Sequence, residues 1–121
     1  MRKVAINGLG RIGRQVLRHL MKVPHVQVVA VNDLTDAPTL AHLMAYDSVH
    51  GRAPFPVAAD GQHLVLDGRR IRVYAEKDPL LIPFGAAGAE VILECTGHFT
   101  KKKAAMAHIQ NGVRHVIISA P

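Results

Sequence analysis

Apolar positions along the chain follow two rhythms. Short unbroken apolar runs occur at Val4-Ala5-Ile6, Val26 to Val31, Val91-Ile92-Leu93-Glu94-Cys95 and Val113 to Ile118. Runs of this length, nearly free of polar residues, predict strands covered on both faces. Between them the rhythm changes to 3.6 residues. Ile12, Val16, Leu17 and Leu20 share one face of a helix expected over Arg11 to Met21 and stopped by Pro24. Leu40, Leu43 and Met44 form the stripe of a second helix, ending near Tyr46, with Thr35 or Asp36 as its cap and Pro38 tolerated in its first turn. Ala104, Ala105, His108 and Ile109 predict a third, from a Thr100 cap through Gln110 to Asn111-Gly112.

The stretch at about 54–75 has a different texture. Asp60-Gly61 and Asp67-Gly68 are hairpin-turn pairs, and short alternating runs flank them at Phe55–Ala58, His63–Leu66 and Ile71–Tyr74. Three antiparallel strands follow, read as an insertion ahead of the next parallel strand because they are too few to hold a core of their own. Asp47 to Arg52 reads as an extended loop, and Asp78 to Gly85 as a connector. The fold class is therefore α/β, a doubly wound (Rossmann-type), mostly parallel sheet with a small antiparallel three-strand insertion. Residues 1–121 are expected to form one dinucleotide-binding domain. Ligands of such sheets bind at the carboxyl ends of the strands. Here those ends are Asn7-Gly8, Asn32-Asp33, Thr96-Gly97 and Ser119-Ala120, and they predict one continuous cofactor groove.

Between the first strand and first helix stands Gly8-Leu9-Gly10-Arg11-Ile12-Gly13, a G-x-G-x-x-G motif, with Asp33 twenty residues beyond its last glycine. Gly8 permits a tight strand-to-helix turn, Gly10 lets backbone approach a pyrophosphate, and Gly13 lets the helix pack close on the strand. Free amides at the helix start, together with its dipole, suit a pyrophosphate. A carboxylate at Asp33 accepts hydrogen bonds from two ribose hydroxyls and repels a 2′-phosphate, so NAD is expected over NADP.

Composition narrows the alternatives. With 121 residues, 49% hydrophobic and 20% charged, the chain reads as a globular domain able to bury a core. No apolar run approaches the roughly 18 residues that cross a bilayer, and Met1-Arg2-Lys3 leads straight into a strand, so a cytoplasmic location is expected. One cysteine allows no internal disulfide. The net charge of +6 raises a nucleic-acid partner, but the bases are spread out and Lys101-Lys102-Lys103 is the only run. Aromatics make up 4% with no Trp, so there is no stacking platform. A surface attracting phosphate-bearing ligands is the preferred reading. Those three lysines also oppose the dipole of the third helix, which solvent or a docked anion would relieve. Cys95 ends a buried strand and reads as a small hydrophobe rather than a nucleophile. No pair among the eight histidines has ligand spacing on a common face with supporting acids, so no metal is expected; His50 reads as part of an ordered loop and His108 as a half-buried helix residue.

Several segments together are recognisable. Ala5-Ile6-Asn7-Gly8-Leu9-Gly10-Arg11-Ile12-Gly13-Arg14, Asn32-Asp33-Leu34-Thr35-Asp36, Tyr46-Asp47-Ser48-Val49-His50-Gly51-Arg52, Leu93-Glu94-Cys95-Thr96-Gly97 and Val116-Ile117-Ile118-Ser119-Ala120-Pro121 closely resemble glyceraldehyde-3-phosphate dehydrogenase, in its NAD-binding first third. The resemblance implies that the Gly8, Arg11 and Ile12 backbone holds the pyrophosphate and that Asn7 buttresses this loop. It implies that Asp33 binds ribose, that Leu34 and Phe99 line the adenine pocket, and that Lys77 stands where the family commonly has arginine. Thr96 and Gly97 resemble cofactor-lining residues, and Ser119 one near the nicotinamide-side ribose. Leu9 and Phe84 replace the family's phenylalanine and tryptophan and read as packing changes.

The family's reaction oxidises an aldehyde with NAD and inorganic phosphate through a cysteine thiolate, a hemithioacetal and a thioester. The resemblance places that cysteine, in a Ser-Cys-Thr-Thr-Asn motif, and its activating histidine beyond Pro121. The chain alone is thus expected to bind NAD without catalysis, and the full-length enzyme to be a homo-oligomer. Two alternatives are the cofactor domain of erythrose-4-phosphate dehydrogenase, against which Asp33 and Asp47-Ser48-Val49-His50 weigh, and a stand-alone nucleotide- or RNA-binding module. If the chain is a piece of a longer protein, exposed apolar surface and a bare strand edge are expected.

Overall fold

The computed structural model describes residues 2–47, 51–78, 81–96 and 112–118. Strands β1 (Arg2–Asn7) and β2 (Val26–Asn32) flank helix α1 (Arg11–Leu20), and α2 (Ala37–Ala45) follows. Then come a short pair, β3 (Tyr46–Asp47) and β4 (Gly51–Arg52), and β5 (Val57–Asp60), β6 (His63–Leu66), β7 (Arg69–Tyr74), β8 (Val91–Glu94) and β9 (His115–Ile118). The expected third helix lies outside the described residues.

Seven strands form one sheet in the order β5-β6-β7-β2-β1-β8-β9. The pairs β7·β2, β2·β1, β1·β8 and β8·β9 are parallel; β5·β6 and β6·β7 are antiparallel. This is the expected architecture. The antiparallel insertion joins the parallel sheet directly, because β7 pairs in parallel with β2, placing Asn32 opposite Tyr74. A group too small to bury its own core thereby shares that of the main sheet. From β1 the chain moves outward to β2 and β7, then returns to the far side of β1 as β8. That reversal opens a crevice at the carboxyl end of β1.

Two hydrophobic layers cover the sheet. On one face α1 and α2 bring Leu17, Leu40 and Met44 against Ile6, Val28, Val31, Leu64 and Ile71. On the other, Ile82 and Phe84 of the connector, Ala89 just before β8 and Val113 pack on Ala5, Ala30 and Ile92. Phe84 also meets the Tyr74 ring edge-on at 6.2 Å. Strand β2 is thus apolar on both faces, as its composition requires. Alternation along it breaks once. Val4 pairs with Val28 but Ala5 pairs with Ala30, so Val29 is an extra residue, and Val29 and Ala30 both lie on the connector side.

Local details depart from the sequence pattern where packing overrides it. Ile12 is 44% exposed, and Gly13 and Leu17 are the residues α1 buries fully. The first turn lies so close to β1 that only a bare Cα fits there. In α2 Asp36 is the cap, its carboxylate accepting from the Thr39 amide at 2.8 Å. Asp67 and Gly68 both have positive φ (53° and 79°), the signature of a tight primed hairpin turn. At the other hairpin Asp60 stays in the strand, opposite His63, so the turn is Gly61-Gln62 and β5 begins two residues later than its alternation suggests. The expected loop 47–52 begins and ends as a two-residue antiparallel pair, Tyr46 opposite Arg52. On the outer strand β9, Ile117 is exposed. Among the described residues, no helix is long and apolar enough to cross a membrane.

Candidate functional site

The carboxyl ends of β1, β2 and β8 meet at a cleft of about 510 Å³. Asn7, Gly8 and Gly10 enter it from β1 and the turn that follows, Asn32, Asp33 and Leu34 from β2, Lys77 from beyond β7, and Thr96 from beyond β8. All of these were expected at the site from sequence. Glu76 and Cys95 line the cleft as well. Gly97, Phe99, Ser119 and Ala120 lie outside the described residues.

The glycine turn is built by steric exclusion. Gly8 has φ +96°, and a Cβ there would lie 2.8 Å from the Thr96 methyl and 2.9 Å from its backbone nitrogen. A Cβ on Gly13 would fall 1.9 Å from the Gly8 carbonyl oxygen, inside any permissible contact. Gly10 differs: a Cβ would meet nothing within 4 Å, so this side of the turn faces open space. Gly10 is also the N-cap of α1, with no side-chain cap and no acid in the first turn. The amides of Arg11, Ile12 and Gly13 begin the helix without intrahelical acceptors. A helix start left uncapped, open on one side and free of acids suits an anion. The Arg14 guanidinium braces the turn from behind through the Leu9 carbonyl at 2.9 Å.

Asp33 is held by backbone. Its Oδ2 accepts from the Leu9 amide at 2.7 Å and its Oδ1 from the Thr35 amide at 3.0 Å. The carboxylate is thereby tied to the glycine turn and fixed at the cleft edge, with lone pairs left for a diol. Leu34, 60% exposed, gives this end an apolar wall, and the exposed Lys77 stands nearby. Free space beside Gly10, helix-start amides that can donate and an oriented carboxylate that can accept are what a dinucleotide requires, so the residues fit NAD.

Under the cleft lie Asn7, Asn32 and Glu94, the buried polar side chains among the described residues, exposed by 1%, 5% and 1%. Asn7 is in register with Asn32 on one side and Glu94 on the other. The two asparagines stand out in the sequence as strand-end residues; Glu94 does not. The available signal was an acid within the apolar run Val91 to Cys95, a position where an unpaired charge is prohibitively costly. Next to it, the Cys95 thiol is pushed up to about 11, first by burial and then by the Glu94 charge. A thiol so perturbed is a poor nucleophile.

A second hollow, of about 660 Å³, lies along α1 away from the strand ends, among Gln15, Arg18, Lys22, Arg52 and Pro54. It is lined by α1 and by Arg52 and Pro54 rather than by the carboxyl ends of the parallel strands, so the smaller cleft is the candidate site.

Residues 2–102 match the family model described as "Glyceraldehyde 3-phosphate dehydrogenase, NAD binding domain". The chain is 54% identical over 119 residues to a glyceraldehyde-3-phosphate dehydrogenase of Geobacillus stearothermophilus, covering 98% of this chain and 36% of that one. It is 54% identical to glyceraldehyde-3-phosphate dehydrogenase 1 of Bacillus subtilis over the same shares. With the Clostridium pasteurianum enzyme it shares 52% over 121 residues, all of this chain and 36% of that one. The chain spans about a third of the length of these relatives.

Proposed function

The chain belongs to the glyceraldehyde 3-phosphate dehydrogenase family, within its NAD-binding domain, and from that premise we propose that it is the cofactor-holding part of a phosphorylating, NAD-dependent dehydrogenase of a triose phosphate. The observation that carries the reading is the Asp33 carboxylate locked by the Leu9 and Thr35 amides beside an uncapped, open glycine turn.

In this reading the backbone from Gly8 through Gly13, with Arg11 and Ile12 at the helix start, receives the pyrophosphate, and Asn7 holds the turn from below. Asp33 orients the adenosine ribose with Asn32 beneath it, Leu34 and Lys77 bound the adenine end, and Thr96 continues the groove wall. On the family resemblance alone, Phe99 is assigned with Leu34 to the adenine pocket, Gly97 and Ala120 to the cofactor lining, and Ser119 to the nicotinamide-side ribose. The bound NAD supplies the hydride acceptor. This chain's residues bind and orient it, while Cys95, held as a neutral thiol, takes no part as nucleophile.

The 121-residue chain is accordingly expected to bind NAD and to form no NADH from aldehyde and phosphate. A cytoplasmic homo-oligomer is proposed for the protein as a whole. The names of the relatives weigh against the tetrose-phosphate alternative. Calorimetric titration with NAD and NADP tests the binding. Saturable NAD binding with much weaker NADP binding supports the reading, and a folded chain that binds neither refutes it. Aldehyde-dependent NADH formation by the chain alone would overturn the inactivity.

A further inference from the structure

We infer that Glu94 is a positioning residue for the dinucleotide: its buried carboxylate sets the donor–acceptor direction of a side-chain ladder, Thr96–Glu94–Asn7–Asn32–Glu76, that forms the cleft floor. The inference rests on the NAD-binding reading and deepens it.

The ladder has one polarity. The Thr96 hydroxyl and amide both donate to Glu94 Oε1, at 2.6 and 3.2 Å. Asn7 Nδ2 donates to Glu94 Oε2 at 2.8 Å. Asn32 Nδ2 donates to Asn7 Oδ1 at 2.9 Å and to the Glu76 carbonyl at 3.0 Å, and the Glu76 amide donates to Asn32 Oδ1 at 2.9 Å. Both ends are pinned by backbone groups that cannot exchange donor for acceptor. At one end is the Thr96 N–H; at the other, the N–H and C=O of Glu76 bracket the Asn32 amide and fix its orientation. The orientation of Asn7 follows, since the Asn32 N–H needs an oxygen opposite it.

Donors therefore face Glu94 from both sides, and its two terminal atoms must both accept. A carboxylate satisfies this; a carboxamide, nearly identical in shape, does not. In Glu94→Gln one end of the new amide must place a donor against a donor. Turning it toward Asn7 would require Asn7 and then Asn32 to flip, and the Glu76 backbone blocks the second flip. Relief comes only by displacement of Asn7 or Thr96, both of which line the cleft.

The same logic specifies a rescue. When Glu94→Gln is combined with Asn7→Asp, the new carboxamide oxygen accepts from Thr96 and its NH2 donates to the new carboxylate on β1. The other oxygen of that carboxylate accepts from Asn32. The ladder contacts named above are restored with the charge moved one position along it. Asn7→Asp alone sets two carboxylates face to face.

The test is a four-member cycle, wild type, Glu94→Gln, Asn7→Asp and the double variant, read by NAD titration, by thermal melts and by the side-chain NH2 resonances of Asn7 and Asn32. Each single substitution is expected to weaken NAD binding by about 10-fold or more, the loss of one charge-assisted hydrogen bond. The double variant is expected to return to within about 3-fold of wild type. The Asn32 NH2 signals should move in Glu94→Gln and return in the double variant. Additive losses in the double variant, or Glu94→Gln with unchanged NAD affinity and resonances, would overturn the inference. If the single variants do not fold, recovery of a cooperative melt in the double variant supports the ladder and its failure refutes it. If wild type binds no NAD, the function proposed above fails, while the melts and resonances still decide on the ladder.

Discussion

Adding one methyl group at Gly13 or at Gly10 should produce opposite outcomes within a single turn of chain. At Gly13 a Cβ would lie 1.9 Å from the Gly8 carbonyl oxygen, a backbone atom that cannot swing aside. The Gly8 amide is itself bonded to the Asn32 carbonyl at 2.8 Å, so the loop is anchored where the clash occurs. Helix and turn must separate by about 1 Å, and α1 carries the fully buried Leu17 one turn later. Forcing such a shift into a packed core costs about 1–3 kcal/mol, against which alanine's helix propensity returns at most about 1 kcal/mol. The expected net loss for Gly13→Ala is about 1–2 kcal/mol, or about 4–8 °C in Tm for a domain of this size. At Gly10 a Cβ meets nothing, and φ −70° with ψ −164° is open to any residue. Gly10→Ala should therefore change stability by less than about 1 kcal/mol, the small cost of alanine at an N-cap. Its methyl nevertheless occupies the side of the turn assigned to the pyrophosphate, so NAD affinity should fall by at least about 10-fold. Circular dichroism melts in urea and heat, paired with NAD titration, separate the two effects. A Gly13→Ala chain melting within about 2 °C of wild type would refute the close approach of α1 to β1. Gly10→Ala binding NAD as wild type does would refute the assignment of that face.

Three further outcomes follow from the same geometry. Asp33→Ala should weaken NAD binding by about 10- to 100-fold, the range for hydrogen bonds to a charged group, while narrowing the preference over NADP; equal loss for both dinucleotides in calorimetry would contradict the ribose assignment. Cys95, its thiol raised to about 11, should react with a disulfide reagent at pH 8 at least about 10-fold more slowly in the native chain than in urea, the gap shrinking as pH approaches 11; equal rates would show it exposed and unperturbed. The Asp36 carboxyl lies below its ordinary value because the Thr39 side chain, and then the Thr39 amide, hydrogen-bond to it. Its folded-state value is depressed, so its contribution is complete above the unfolded value near 3.8 and fades as pH falls through the folded one. Asp36→Ala should lower Tm at pH 7, and Asp36→Asn, which keeps the cap but not the charge, should lower it less; an Asp36→Ala chain as stable as wild type would show that the cap contributes nothing.

Much of this molecule is written in local chemistry. Apolar runs of strand length, the 3.6-residue stripes of α1 and α2, the turn pair Asp67-Gly68 and the glycine turn with Asp33 at its distance are each decided by residues close together in the chain. Backbone sterics and hydrogen bonding act at that range, so these elements, and the candidate ligand edge of the sheet, could be read without any fold in hand. Tertiary structure decided what depends on register. The extra residue at Val29 is the reason Asn7 lies opposite Asn32 rather than Val31, and no short pattern announces it. Glu94 meets Asn7 across 87 positions of chain, and its meaning as a buried acceptor appears only once both strands are aligned. The union of β7 with β2 likewise depends on where a small antiparallel group finds a core large enough to bury it. Asp33 shows both levels at once: the spacing placed it at a strand end with one oxygen on the nearby Thr35 amide, and the fold aimed the other through the Leu9 amide. Position came from local propensity, and the second anchor from a contact that exists only when distant strands pair.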